Sequence, residues 1–162
     1  MTRIWLVVAA LLLAGCGVEP SGPAAGGEAP TGVARGVTLY FVDARHQLQP
    51  RLRQTDRLGT ISEAMSLLLT GPGDSGLRTE IAAGTVTRVG VTTEPDVIQL
   101  MVPFTVHDVT RLGIHQLVCT ALGVHVQSGG SRTVKVRVRF VQPTPESDRE
   151  RSCPLITVDG AR

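Results

Sequence analysis

A serine works as a nucleophile only when a histidine takes its proton and a carboxylate orients that histidine. Ser75 lies in Gly73-Asp74-Ser75-Gly76, where glycine and aspartate equally suit a plain turn after a helix. The turn needs no chemistry and is the expectation. His46, His107, His115 and His125 show no paired metal-ligand spacing, whereas zinc takes three or four converging ligands. Asp43, Glu94, Asp96 and Asp108 could supply an acid and a base, yet nothing in their spacing brings two together, and strand-end and turn positions account for them. No phosphate-loop or dinucleotide glycine pattern occurs. No catalytic set, metal or cofactor is therefore expected. Lys135, Arg137 and Arg139 alternate along one stretch, so on a strand they project to one side about 7 Å apart. That basic ribbon, extended by Arg132, suits anionic lipid, wall polymer or an acidic partner face, or else a solvated charged edge.

The first sixteen residues carry a different chemistry. Arg3 precedes Ile4 to Ala14, an unbroken apolar run of eleven residues that leads to Gly15 and Cys16. A membrane-spanning helix needs about 20 apolar residues, so the run is the core of a signal peptide, residues 1–15. Leu13-Ala14-Gly15-Cys16 resembles the lipobox of bacterial lipoproteins. The resemblance implies that Cys16 carries a diacylglycerol thioether and becomes the acylated mature N-terminus. Two acyl chains, at about 0.8 kcal/mol per buried methylene, hold a protein on a membrane durably. The implied location is the extracytoplasmic face of the cell membrane.

Residues 16–36 join that anchor to the folded part. Gly17 to Gly36 holds six Gly and three Pro and no apolar period, the composition of a flexible tether.

From residue 37 to 159 the pattern alternates between strand and helix. Val37 to Val42 is β-branched and aromatic and reads as a buried strand, and Leu48 to Arg53 reads as a weaker extended stretch. Thr60-Ile61-Ser62-Glu63 is a capping box. It starts a helix with apolar positions Ile61, Ala64, Met65 and Leu68, and Gly71-Pro72 ends it. Thr85 to Thr93 and Val97 to Val102 read as a hairpin turning at Glu94-Pro95-Asp96. A second helix from about Thr110 to Leu122 presents Leu112, Gln116, Cys119, Ala121 and Leu122, with Gly123 as its expected C-terminal cap. Thr133 to Val141 alternates Val134, Val136, Val138 and Phe140 with Lys135, Arg137 and Arg139, so one face is core and the other wet. The order predicts an α/β fold, a two-layer α+β sandwich with two helices on one face of a small mixed sheet.

Leu39-Tyr40-Phe41-Val42-Asp43, Ala64 to Pro72 and Gln116-Leu117-Val118-Cys119-Thr120 together resemble, in order and spacing, the landmarks of the GerMN domain of sporulation and spore-germination lipoproteins. The resemblance implies a fold similar to the ring-building motif of secretion and sporulation complexes. It also implies a non-enzymatic role in envelope assembly, sporulation or germination, with envelope proteins or anionic wall and lipid components as partners.

Once Cys16 is acylated, Cys119 and Cys153 remain, an even count outside the cytoplasm. Either they form a bridge, as similar cysteine pairs in the actinobacterial lipoproteins that this chain resembles do, or Cys119 is buried and Cys153 unrelated to it.

The 162 residues are 42% hydrophobic with a net charge of +2. That balance excludes a chain disordered throughout and gives no field that would recruit nucleic acid. Among the 16 basic residues only Lys135 is a lysine, a skew that reads as compositional bias and not as phosphate recognition. Two further classes stay open beside the interaction module. A small-ligand or wall-fragment binder requires a pocket with converging polar groups, and a hydrolase requires a nucleophile beside a base in such a pocket.

Overall fold

The computed structural model describes residues 36–156. The expected signal segment, Cys16, the expected tether up to residue 35 and the expected domain end at 157–159 lie outside the described residues. No helix among the described residues is long and apolar enough to cross a membrane.

Strand β1 (Val37–Val42) pairs antiparallel with β2 (Leu48–Arg53). Asp43 builds the turn between them: its Oδ1 accepts the N–H groups of Arg45 at 2.8 Å and Gln47 at 2.9 Å. His46 takes a positive φ of 58° there. Helix α1 (Ile61–Leu69) starts at the capping box read from the sequence. Thr60 Oγ1 accepts the Glu63 N–H at 3.2 Å, and Glu63 Oε2 accepts the Thr60 N–H at 2.7 Å. Ala64, Met65 and Leu68 are its buried face.

A second, mixed sheet runs β3 (Gly90–Thr93), β4 (Val97–Met101), β5 (Lys135–Arg139), β6 (Glu150–Arg151). Only β4 and β5 are parallel, and a parallel pair needs a crossover. Helix α2 (Arg111–Gln127) supplies it. α2 is the hub of the domain: every residue from Gly113 to Val124 except the half-buried His115 is buried. Leu39 and Phe41 of β1, Met65 and Leu68 of α1, Leu117 and Leu122 of α2, and Ile98, Leu100, Val136 and Val138 of the second sheet are fully buried in one core.

The architecture is an α+β sandwich, with its strands divided between two sheets where one was expected. The cause is polar. Along the edge of β1 that faces away from β2, Thr120 Oγ1 accepts the Tyr40 N–H at 3.1 Å, and Gln116 Nε2 donates to the Tyr40 carbonyl at 3.0 Å. Val42 and Arg78 exchange two backbone bonds at 2.9 Å, and Gln127 Oε1 accepts the Thr38 N–H at 3.5 Å. Side chains of α2, together with the Arg78 backbone, thus occupy the row of groups that a neighbouring strand would have used. Because Tyr40 turns both its backbone groups toward α2, Pro50 opposite it costs the β1–β2 ladder no bond.

Two boundaries differ from the sequence reading. Gly123 is not a C-cap: α2 continues to Gln127 and ends at Ser128. A Cβ at Gly123 would lie 3.3 Å from Tyr40 Cε2, so this glycine serves the close approach of β1. The strand expected from Thr85 begins only at Gly90. β4 ends before Pro103, which has no N–H to donate, and Ser62 Oγ donates to the Val89 carbonyl at 2.9 Å. β-branched residues alone therefore find no ladder across Thr85 to Val89.

Gly113 is a second glycine fixed by packing. A Cβ there would overlap the Glu80 carbonyl oxygen and Val109 Cγ2. In an open helix Gly→Ala stabilises by about 1 kcal/mol. Here Gly113→Ala is expected to destabilise by about 1–3 kcal/mol, because a rigid backbone oxygen must move. Thermal unfolding of that variant checks the sign.

Candidate functional site

The carboxylates considered for acid–base work hold turns together. Asp43 also accepts from Gln49 Nε2 at 3.0 Å. The Gln47 backbone N–H, then the side chain of Gln49 and the N–H and charge of Arg45, hold its pKa below the ordinary carboxylate value, against a smaller opposing effect of burial. Asp108 Oδ2 accepts the Thr105 hydroxyl at 2.7 Å and the Thr105 N–H at 2.8 Å, and the Thr105 side chain is the main reason that its pKa is lowered. Glu63 is lowered chiefly by the Thr60 N–H that it caps. Glu94 and Asp96 are exposed at the hairpin tip. Ser75 Oγ accepts the Leu77 N–H at 3.4 Å, between Gly73 and Gly76 at positive φ, as a turn residue does. The histidines are dispersed: His46 lies in the β1–β2 turn, His107 in the short 3-10 turn Val106–Asp108, and His115 and His125 at opposite ends of α2. Among the described residues no three His, Cys, Asp or Glu side chains are grouped to hold a metal.

Cys119, in the middle of α2, is bonded to Cys153, and both are buried. The cross-link ties the segment after β6 to the helix at the centre of the fold.

Lys135, Arg137 and Arg139 project from the outer face of β5 as the alternation requires. Each already has a partner. Lys135 Nζ donates to Ser152 Oγ at 2.7 Å, Arg137 pairs with Glu150 Oε1 at 2.6 Å, and Arg139 donates to Gln99 Oε1 at 3.1 Å and lies 3.5 Å from Asp148. Neighbouring carboxylates therefore offset the charge of Arg137 and Arg139, while Lys135 meets only a hydroxyl. Exposed pairs of this kind contribute at most about 1 kcal/mol, so a stronger anion can compete for them. Arg132 is exposed in the turn before β5.

An uncommitted cation with apolar neighbours lies elsewhere. Between the start of α2 and the edge strand β6 is a cavity of about 650 Å³, lined by Val106, Val109, Arg111, Ile114, His115, Glu146, Arg149, Glu150, Arg151 and Ser152. Arg111 and His115 are four residues apart on α2, a spacing that stacks side chains on one helix face. Arg149 and Arg151 come from the strand side. Glu146 is shared between them, with Oε1 3.0 Å from Arg149 Nη1 and Oε2 2.6 Å from Arg151 Nη2. Glu150 is turned to Arg137. The Arg111 guanidinium makes no hydrogen bond or ion pair among the described residues, and neither does the His115 ring. Burial, and then the charges of Arg151 and Arg111, push the His115 pKa below its ordinary value.

Two smaller hollows of about 450 Å³ each flank α1. In one, the chain from Ala82 to Val86 parts from Pro103 and Phe104, with Leu69, Val86 and Val141 at its walls; the other lies between α1 and the segment Thr55 to Gly59. Sequence reasoning named His115 only as one of four dispersed histidines, and none of the other residues around the largest cavity as part of a site. The four-residue step from Arg111 to His115 was the available signal, and the approach of Arg149 and Arg151 was not readable from spacing. Comparison with protein-family models, with curated proteins and with solved structures finds no match to this chain.

Proposed function

We propose that this protein is a lipid-anchored, extracytoplasmic interaction domain of the GerMN type, acting without catalysis in cell-envelope, sporulation or germination processes. The observation that carries the reading is the buried bond between Cys119 and Cys153. Structural disulfides persist outside the cytoplasm, and pairing these two leaves Cys16, at the end of the signal-peptide core, as the odd cysteine of the three. An acyl-bearing Cys16 followed by a Gly/Pro-rich tether keeps such a domain beside the membrane and free to turn toward its partners. The carboxylates support docking over chemistry, because Asp43, Glu63 and Asp108 are spent on backbone amides and stabilised as anions. Cys16→Ala is expected to move the protein from the membrane fraction to the soluble extracytoplasmic fraction of fractionated cells. Retention of that variant in the membrane would refute the anchor. Crosslinking the wild type in its native membrane then identifies the protein or polymer on which it docks.

A further inference from the structure

We propose that the cavity between the start of α2 and β6 is a binding site for a phosphate ester, with Arg111, His115 and Arg151 contacting the phosphate and Val106, Val109 and Ile114 contacting its organic part. The inference does not depend on the lipid anchor, since every residue in it belongs to the folded domain.

Donors reach this cavity from two sides, Arg111 and His115 from the helix, and Arg149, just before β6, and Arg151, within it, from the other. Arg151 Nη1 also donates to the Arg149 carbonyl at 2.9 Å and Nη2 to the Glu146 carbonyl at 3.0 Å, which fixes its guanidinium at the cavity wall. A carboxylate is served by a single guanidinium fork, whereas a phosphate offers oxygens in several directions. The volume, about 650 Å³, exceeds what an inorganic ion fills, and the three apolar side chains make a wall that an ester's carbons can cover. The charges facing the site are three arginines against two carboxylates. Glu150 is neutralised from outside by Arg137, and Glu146 is divided between Arg149 and Arg151, which leaves Arg111 with its charge uncompensated. His115 has no partner among the described residues and lies beside two cations, so a bound anion restores what it lacks. Bound phosphate offsets the repulsion from Arg111 and Arg151 and raises the His115 pKa. By linkage, affinity for a phosphodiester increases as pH falls through the His115 titration, whereas a monoester's own protonation at about pH 6 opposes that gain.

The test uses the full chain in dodecyl maltoside micelles, which carry no phosphate, with the His115 ring followed by NMR as a function of pH. Two probes are compared: soluble glycerol 3-phosphate, and phosphatidylglycerol included in the micelle. The expected result is an upward shift of the His115 midpoint with at least one probe. A response to the soluble ester marks the phosphate ester itself as sufficient, and a response to the lipid alone marks a headgroup. Arg111→Gln, at an exposed position, is expected to keep the wild-type circular dichroism spectrum and to weaken binding about tenfold or more. His115→Asn should keep binding but lose the pH dependence seen with the phosphodiester probe, phosphatidylglycerol. The proposal is overturned if neither probe moves His115, if Arg111→Gln responds like the wild type, or if sodium sulfate at matched ionic strength reproduces the whole shift.

Discussion

Replacing Gln116 with leucine is expected to lower the melting temperature of the domain by about 10–20 °C, a very large effect for a single side chain that touches no ligand. Gln116 is fully buried in the middle of α2. Its Nε2 donates to the Tyr40 carbonyl at 3.0 Å, and its Oε1 accepts the Glu80 N–H at 2.8 Å. One amide therefore fastens the helix both to β1 and to the long segment between α1 and β3. Leucine has similar volume, so the loss is polar and not a cavity. It leaves two backbone groups without partners, each costing about 1–3 kcal/mol. For a domain of this size about 1 kcal/mol corresponds to about 4 °C. Thr120→Val removes only the acceptor of the Tyr40 N–H and should cost about half as much. Because Gln116 and Thr120 hold the backbone of the same residue, Tyr40, the double variant should be less unstable than the sum of the two. Thermal unfolding of the three variants decides the matter, and a Gln116→Leu protein as stable as the wild type would refute this account of the β1 edge.

The same two residues explain why one part of the fold was legible in the sequence and another was not. The capping box at Thr60, the turn at Glu94-Pro95-Asp96 and the alternation from Val134 to Phe140 are local chemistry, and each lies in the structure where the residues indicate. The division into two sheets is not local. It follows from polar side chains of α2 filling the open edge of β1, and Gln116, read only as one more inward position of an apolar helix, gave no hint of its partners. A buried glutamine on such a face is nevertheless a signal, because its amide must be satisfied, usually by backbone. Gly123 misled for a related reason. Glycine after a helical run usually marks a C-cap, but here it makes room for the Tyr40 ring. Thr85 to Val89 has the β-branched character of a strand, yet strand propensity forms a ladder only where a partner lies alongside, and Pro103 takes β4 away. At the candidate site, Arg111 and His115 share a helix face that periodicity can place. Their meeting with Arg149 and Arg151 depends on how the segment after β5 returns to α2. Lys135, Arg137 and Arg139 were placed correctly on one face of β5, while Glu150, Asp148 and Ser152, which partner them, come from the returning segment.

That return is held by the disulfide, whose loss carries the second large expected effect. Cys119→Ala with Cys153→Ala is expected to destabilise the domain by about 3–4 kcal/mol, because the cross-link spans 34 residues of sequence and opening a loop of that length restores about this much entropy to the unfolded chain. The melting temperature should fall by about 12–16 °C. The effect is also local. Beyond β6, the fastenings at Cys153 include the bond itself and two short-range backbone contacts, Leu155 N–H to Cys153 Sγ at 3.4 Å and Ile156 N–H to the Cys153 carbonyl at 3.2 Å. Ile156 packs near Gly123 and Tyr40, with its Cδ1 3.9 Å from where a Gly123 Cβ would sit. Without the cross-link this segment loosens, so the side of α2 that carries Cys119 and Gly123 should gain amide exchange well before the domain unfolds. The β1–β2 hairpin, held by Gln116 and Thr120, should keep its protection. Hydrogen exchange on the double variant separates the two contributions. Faster exchange at α2 with an unchanged melting temperature would mean that the bond orders only the tail. Unchanged exchange and unchanged melting would mean that the oxidised loop adds nothing to the fold. If both change as expected, a domain made in a reducing compartment is left several kcal/mol short of its full stability. Its complete fold is then tied to export, the condition that the signal segment and Cys16 would meet.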